Sequence, residues 1–369
     1  MNFDRKIRVG ITHGDVNGIG YEVILKTLSE PLISEMCTPV LYGSSKIAAY
    51  YRKGMELENV PFNLVQDAAD IKYGANNLVE VLDVDFKVEP GVESPAAGKA
   101  ALQSLERAVA DLKNGLIDVI VTAPINKYAI QSDEFNFPGH TEYLEQAFGD
   151  GRKALMILFN DVVKVALVTT HLPLVKVPEA ITKEAILEKL QIFNHTLIKD
   201  FGLEKPRIAV LALNPHAGDN GLLGDEEQNI IAPAIEEAYS KKICCFGPYA
   251  ADGFFGSDQF KHFDGILAMY HDQGLAPFKS LAMNTGVNFT AGLGFIRTSP
   301  DHGTGFDIAG KGEASEESFR EAMYQAIDIF RRRMDFYKSH RNPLRKQYFD
   351  KSNDKETLDL TKVEDEQGN

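Results

Sequence analysis

Cysteine is scarce: the 369 residues hold three, Cys37 and the adjacent Cys244 and Cys245. This arrangement makes no CxxC metal knuckle, and three thiols supply no plausible disulfide framework. A reducing, cytoplasmic setting is the natural expectation. Long apolar runs are also missing. No stretch of about 18 apolar residues occurs, so no membrane span is expected. The opening residues Met-Asn-Phe-Asp-Arg-Lys lack the apolar stretch and small-residue cleavage site of a secretory signal. Positive charge is in deficit, with 39 Lys and Arg against 53 Asp and Glu and a formal net charge of -14. Such a chain repels a phosphate backbone, and no basic stripe offsets the repulsion, which argues against nucleic acid as the main partner. Internal repeats and low-complexity linkers are absent, so composition marks no domain boundary.

What is present points to an α/β protein. The length exceeds the usual single-core range, which predicts two lobes, and 44% hydrophobic residues suffice for a sizeable core. Short β-branched runs at 7–12, 39–43, 118–122, 162–169, 207–212 and 265–269 alternate with longer segments of helical periodicity at 96–115, 182–201 and 226–240. That alternation predicts βαβ units, with helices covering a largely parallel sheet. Segment 124–139 reads as an extended crossing between lobes. The last 20 residues, from Asp350, hold seven acidic and three basic residues and read as a solvated or disordered tail.

Chemistry gathers where the strand-like runs stop. They are followed by His13-Gly14-Asp15, Ala123-Pro124-Ile125-Asn126-Lys127, Thr170-His171, Asn214-Pro215-His216 and Tyr270-His271-Asp272. Ligands of open parallel sheets bind outside the carboxyl ends of strands, so these residues are expected to share one crevice. Of nine histidines, His171, His216 and His271 each follow such a run, and three imidazoles suit a divalent cation acting as a Lewis acid. Spacings of 45 and 55 residues between them are not diagnostic. His13, His140 and His302 also lie in Gly-rich or polar surroundings, so residue type alone does not select the three. His195, His262 and His340 read as helix or surface residues.

Several motifs in order carry a resemblance: Gly14-Asp15-Val16-Asn17-Gly18-Ile19-Gly20, Thr122 to Lys127, Gly139-His140-Thr141-Glu142, Thr170-His171-Leu172-Pro173, Leu213-Asn214-Pro215-His216-Ala217-Gly218, Gly247-Pro248-Tyr249-Ala250-Ala251-Asp252, Tyr270 to Gly274 and Arg297 to Thr304. Over roughly residues 7–335 the chain resembles the 4-hydroxythreonine-4-phosphate dehydrogenase family. It departs in the first motif, where the family commonly has Asp-Pro-Ala-Gly-Ile-Gly-Pro-Glu and this chain reads Asp15-Val16-Asn17-Gly18-Ile19-Gly20-Tyr21-Glu22.

The resemblance implies an isocitrate/isopropylmalate-dehydrogenase-like α/β fold, with two lobes around a largely parallel sheet and the active site in the cleft. Residues 1–127 with 300–345 would form the cofactor-side lobe, 128–299 the lobe carrying substrate, metal and dimer interface, and 346–369 the acidic tail. A homodimer with a shared site is implied, as is a divalent metal (Zn, Co, Mg or Mn) on His171, His216 and His271, one of them from the neighbouring subunit. His140, Thr141, Lys279, Asn288 and Arg297 would hold a small phosphorylated hydroxy-amino acid. Their types suit an anion, although surface ion pairing is the plainer reading of Lys279 and Arg297. NAD, or NADP, would accept hydride. Gly14 to Gly20 do not spell G-x-G-x-x-G, so no Rossmann fingerprint is present.

The cofactor is expected near Gly292, Gly294, Asp301 and Gly303, where glycines either admit a phosphate or simply make turns. Asp252, Asp272 and Lys127 are candidates for orienting imidazoles or moving protons, with capping and loop hydrogen bonds as the alternative role of each. The implied reaction oxidises 4-phosphohydroxy-L-threonine to a 3-oxo acid that decarboxylates to 3-amino-2-oxopropyl phosphate, in vitamin B6 synthesis. Alternatives are a sister dehydrogenase of phosphorylated threonate or erythronate, and a phosphate acyltransferase of similar fold.

Overall fold

The computed structural model describes residues 5–57, 60–82, 86–132, 135–137, 139–148, 151–282 and 284–341. The acidic tail expected at 346–369 lies outside them. Twelve strands form one sheet: β1 (Ile7–Thr12), β2 (Cys37–Gly43), β3 (Asn63–Val65), β4 (Asn77–Glu80), β5 (Val119–Thr122), β6 (Leu155–Phe159), β7 (Lys164–Leu167), β8 (Ile208–Leu211), β9 (Cys245–Tyr249), β10 (Gly265–Ala268), β11 (Val287–Ala291) and β12 (Arg297–Pro300). Their order is β3-β4-β2-β1-β5-β12-β11-β6-β7-β10-β8-β9. The architecture is the expected α/β fold with a largely parallel sheet.

Strand direction corrects one expectation. From β3 through β12 the first six strands in this order are parallel, and β7, β10, β8 and β9 are parallel to one another. Between the blocks, the ladders β12/β11, β11/β6 and β6/β7 are all antiparallel. Three reversals leave the second block running against the first. The carboxyl ends of β1 and β5 therefore open on the opposite sheet edge from those of β7, β8 and β10. The residues following these strands do not share a single crevice by strand end alone.

The six strands expected from sequence are present as β1, β2, β5, β7, β8 and β10, with ends shifted by up to a few residues. β6, all apolar as Leu-Met-Ile-Leu-Phe, was unmarked because a short apolar run reads equally as a buried helical turn. β12, Arg-Thr-Ser-Pro, has no residue that gives an apolar signal, whereas β11, Val-Asn-Phe-Thr-Ala, does alternate apolar and polar residues but over only five positions. The segment expected as one helix at 226–240 opens with a π-helical turn, Glu227–Ile231, before the α-helix Ala232–Ser240.

The two faces of the sheet pack differently. On one face a single cluster runs through both blocks, from Val9, Ile11 and Val121 through Ile157 and Phe289 to Val210. The long helix Glu317–His340 lies against it, burying Phe319, Ala322, Met323, Ala326 and Ile327. On the other face the core is broken in two. One cluster holds Val40, Tyr42 and Ile120 under helix Pro95–Lys113; the other holds Met156, Leu158, Val165 and Phe278 under helix His271–Ala282. Between them the period-two alternation places Asn288 and Thr290 of β11, which stand opposite Leu158 and Met156, beside Arg297 of β12, which stands next to Ile120 of β5. A polar strip thus floors a cleft where the apolar cover stops. Helix His140–Phe148 closes against the first cluster through Leu144 and a Phe148–Phe295 stack.

A buried ion pair fixes the long helix behind this floor. Arg333 Nε and Nη2 donate to the two oxygens of Asp200 at 2.7 and 2.9 Å, and Nη1 donates to the Phe295 carbonyl at 3.1 Å. Both side chains are almost wholly buried. Asp200→Ala strands that guanidinium, so urea denaturation should show a loss of about 3–5 kcal/mol. A loss under about 1 kcal/mol, the scale of a surface pair, would remove the pair from the structural account.

Candidate functional site

The floor of the cleft is built around Arg297, which is only 3% exposed. Its Nε and Nη2 donate to Thr122 Oγ1 at 3.0 and 2.6 Å, Nη1 donates to Thr290 Oγ1 at 3.2 Å, and Nη2 donates to His140 Nδ1 at 3.2 Å. Among the described residues no carboxylate lies within ion-pairing distance. Burial pulls its pKa down and the more distant Glu142 draws it up. A guanidinium stays protonated across the working pH range, so the result is a positive charge held in a low-dielectric site by neutral acceptors alone. Such a group favours an incoming anion.

His140 completes that subsite. Burial, reinforced by the charges of Arg297 and Lys127, holds its pKa well below the usual range, so the ring is neutral. Because Nδ1 accepts from Arg297, the ring proton sits on Nε2, an atom that is buried and has no partner among the described residues. It is a donor waiting for an acceptor. Asn288 Oδ1, on the same face of the sheet, is likewise buried without a partner. Thr141 follows His140 in the first turn of its helix and is half-buried.

One end of the cleft brings two of the three candidate metal histidines together. The pairing of β7 with β10 runs on past both strands. Val168 N donates to Ala268 O, and Thr169 N and Oγ1 both donate to Met269 O at 3.1 and 2.8 Å. This delivers Thr170-His171 and Tyr270-His271 side by side, with ring centroids 6.2 Å apart. His271 Nδ1 lies 2.7 Å from Asp272 Oδ1, and His171 Nδ1 lies 3.6 Å from Glu142 Oε1. The Asp272 carboxylate on Nδ1 leaves Nε2 as the free lone-pair nitrogen of His271, while Glu142 faces His171 Nδ1 from beyond hydrogen-bond distance. Gln273 locks the corner, accepting from Met269 N and donating to Ala212 O at the end of β8. His216 lies apart on an exposed loop after β8. Among the described residues no cluster of three His, Cys, Asp or Glu forms within the one chain.

Glu142 joins the two subsites. His171 and Lys127 lower its pKa against the opposing effect of burial, and its Oε2 is buried without a partner among the described residues. Lys127 itself is exposed, and its charge acts on both Glu142 and His140. Asp252 sits exposed at the start of helix Ala251–Gly256, with no contact to this cluster among the described residues.

The remaining predicted residues divide by sheet edge. Lys279 is exposed on helix His271–Ala282; its Nζ donates to Asp301 O at 3.3 Å and lies 3.5 Å from Asp301 Oδ1. Burial raises the Asp301 pKa and lowers that of His302, whose Nε2 is buried and unpartnered. Gly292 and Gly294 precede β12, whereas Asp301 and Gly303 follow it. A four-residue strand separates the two pairs by about 13 Å, so they do not make one phosphate cradle. Gly292 is a turn glycine with φ +83, where an added Cβ would come within 2.3 Å of Lys153 O. Gly303 instead faces open space, and its loop meets the first motif: Ile19 N donates to Thr304 O at 2.9 Å. Behind that rim, helix Gly20–Leu28 anchors the following loop, with Gly310 N donating to Glu22 Oε1 and Lys26 Nζ donating to Gly312 O.

Sequence reasoning passed over Glu142, Thr122 and Thr290 as functional side chains. Glu142 was legible as an acid two residues after His140 on one helical turn. Nothing local marks the threonines, whose role exists only because β5, β11 and β12 become neighbours.

The sequence profile of the family described as pyridoxal phosphate biosynthetic protein PdxA matches residues 35–326. A 4-hydroxythreonine-4-phosphate dehydrogenase from Bacteroides thetaiotaomicron is 59% identical over 363 residues, covering 98% of this chain and all of the relative. A protein from Oceanobacillus iheyensis, provisionally named a D-threonate 4-phosphate dehydrogenase, is 39% identical over 88% of this chain and 98% of its own length. Among solved structures, a 4-hydroxythreonine-4-phosphate dehydrogenase from Klebsiella pneumoniae superposes with a TM-score of 0.75 at 35% identity, covering 89% of this chain and 99% of that one.

Asp15, on the glycine-rich rim, supplies a test by pH. It accepts from Asn17 N through Oδ1, while Oδ2 is buried without a partner, and burial raises the carboxyl pKa to about 6. A folded pKa above the unfolded value means that the charged form costs stability. The cost is full above pH 6, shrinks as pH falls towards the ordinary carboxyl value of 3.8, and is gone below it. Asp15→Asn should therefore raise the denaturation free energy at pH 8 by on the order of 2 kcal/mol, with no gain near pH 3.5. A gain that did not vary with pH would show that charge burial is not the cause.

Proposed function

The chain belongs to the PdxA family of pyridoxal phosphate biosynthetic proteins, and from that premise we propose that it oxidises 4-phosphohydroxy-L-threonine with NAD to a 3-oxo acid, which then loses CO₂ to give 3-amino-2-oxopropyl phosphate. The observation that carries this reading is the buried, carboxylate-free Arg297 beside the neutral His140, in the same cleft as the carboxylate-backed imidazoles of His171 and His271. An anion-binding floor next to nitrogen donors suits a phosphorylated hydroxy acid. A phosphate acyltransferase would have no use for the imidazoles.

The donor set fits a divalent cation such as zinc, cobalt, manganese or magnesium. His171 and His271 would hold it by Nε2, with His216 completing the set from a second copy of the chain. When bound, the cation supplies Lewis acidity that lowers the pKa of the substrate hydroxyl, and the nicotinamide accepts the hydride. Arg297, the His140 Nε2 proton, Asn288 and Lys279 bind and orient the anionic ends of the substrate. Asp272 fixes the tautomer of His271, and Glu142 faces the His171 imidazole across 3.6 Å. Lys127, the exposed cation whose charge acts on both Glu142 and His140, delivers a proton to the carbon that loses CO₂. In balance, one hydride passes to NAD⁺ as the hydroxyl proton is released, and one proton replaces CO₂. The cofactor is assigned to the rim formed by Gly14 to Gly18 and the loop of Asp301 and Gly303.

A homodimer fits the exposed apolar side chains beside the histidines: Leu174, Val175 and Leu222 are 68%, 82% and 77% exposed. Three free thiols fit a reducing cytoplasm. The provisionally named D-threonate relative keeps a second substrate in view, one lacking the amino group. The buried, unpartnered Oε2 of Glu142 is a fitting partner for an ammonium and supports the hydroxy-amino acid.

Reduction of NAD⁺ by the purified protein, with cation supplied or chelated, tests the reading. Turnover should require the cation and prefer 4-phosphohydroxy-L-threonine to D-threonate 4-phosphate, and Glu142→Gln should erode that preference. Arg297→Met should lower kcat/KM by about 100-fold or more, through KM, as expected for lost charge-assisted hydrogen bonds. Undiminished turnover in chelator, or a preference for the threonate, would sink the assignment.

A further inference from the structure

The loop that carries His216 has an unusual backbone. Five successive residues, His216, Ala217, Gly218, Asp219 and Asn220, lie in the left-handed region, with φ between 43° and 78°. Only one of them is glycine, so four residues with a Cβ occupy a conformation that L-amino acids rarely adopt. A run of this kind persists only when its surroundings over-determine it, and such runs concentrate at sites where a side chain must be held.

The surroundings are supplied by Glu227. Its side chain is nearly wholly buried, although no lysine, arginine or histidine pairs with it among the described residues. Its Oε1 accepts from the Leu213 and Asn214 backbone N–H groups at 2.8 and 2.7 Å, and its Oε2 accepts from Asn214 Nδ2 at 3.0 Å. Asn214 Nδ2 also donates to Glu226 Oε2 at 2.7 Å. Gly218, midway along the left-handed run, sits so close that an added Cβ would lie 2.7 Å from Glu227 Oε2 and 2.9 Å from Gly224 O. The carboxylate therefore holds the loop at its entry and leaves no room for a side chain at its middle. Its placement comes from the π-helical turn Glu227–Ile231, a local widening that recurs at functional sites.

We propose that Glu227 is a positioning residue that keeps the 214–221 loop in its left-handed form and so presets His216 for the shared cation. A carboxylate satisfied only by amides is a costly way to close a surface loop. Burying it beside a strained turn makes physical sense where the turn must hold an imidazole at one place before a partner arrives. The inference rests on the reading of His216 as a ligand, and the experiment separates the two.

Full-length protein, stripped of metal, would be titrated with Co²⁺ against a chromophoric chelator, and amide hydrogen exchange followed over 213–224. Glu227→Gln keeps the shape but turns an acceptor into a donor facing Asn214, and it should weaken Co²⁺ by 10–100-fold, the usual effect of losing a group that orients a ligand. Exchange over 213–224 should speed up in the same variant, with little change in the β1 to β5 half. Asn214→Ala, which removes the side-chain donor to Oε2 but keeps both backbone donors to Oε1, should do both to a smaller degree and serves if Glu227→Gln does not fold. His216→Ala must itself weaken Co²⁺. Unchanged affinity in His216→Ala would overturn the ligand reading and this inference with it. Weakened binding in His216→Ala with wild-type affinity in Glu227→Gln and Asn214→Ala would overturn this inference alone, as would a lowered Tm without any change in affinity.

Discussion

A guanidinium buried without a carboxylate sets the terms for the rest of this molecule. Arg297 hydrogen-bonds to two threonines and one imidazole, all neutral, on three different elements. Its charge can stay out of water only because those acceptors are rigidly placed, and they are rigid because β5, β11 and β12 are adjacent strands of one sheet. The break in the apolar core on that face follows from the same constraint. Methionine and leucine can cover the sheet up to Arg297 from either side but cannot cover it, so the two clusters end there and a cleft opens. The unbroken core on the opposite face is what keeps the halves from parting along that line.

The reversals at β11, β6 and β7 have a matching role. They turn the second parallel block around, so that the ends of β7 and β10 extend into paired backbone that carries His171 and His271 to the end of the cleft where Glu142 stands. Had all twelve strands run the same way, these histidines would have opened on the edge occupied by Asp15. The Asp272 carboxylate behind His271 then does what strand direction alone cannot, fixing which nitrogen of that ring faces the cleft.

Much of this could be read in the sequence. The apolar runs located six strands because buried parallel strands need β-branched residues on both faces. The order of the motifs located His140, His171, His271 and Arg297. What could not be read is instructive. Strands β11 and β12 carry the floor of the cleft; β11 keeps a short alternation, but in β12 the polar residues that line the floor erase the pattern by which strands are found. Gly292 and Gly294 read equally as a turn or as a phosphate loop, because a hairpin turn and an anion cradle both favour glycine. Glu227 looked like one acid among many in a charged helix, since its role depends on a turn whose hand no periodicity reveals.

The floor also dictates when the protein can become itself. Thr122 and Arg297 are 175 residues apart in sequence, and β5 has no neighbour on that side until β12 exists. A chain emerging from the ribosome must therefore wait, with the first five strands already made and one flank of β5 unpaired, until nearly all the rest has been synthesised. High contact order of this kind slows folding and leaves a strand edge open to intermolecular pairing in the interval. The cleft is thus among the last parts to form, and one flank of β5 stays open to mispairing until Arg297–Pro300 has been made.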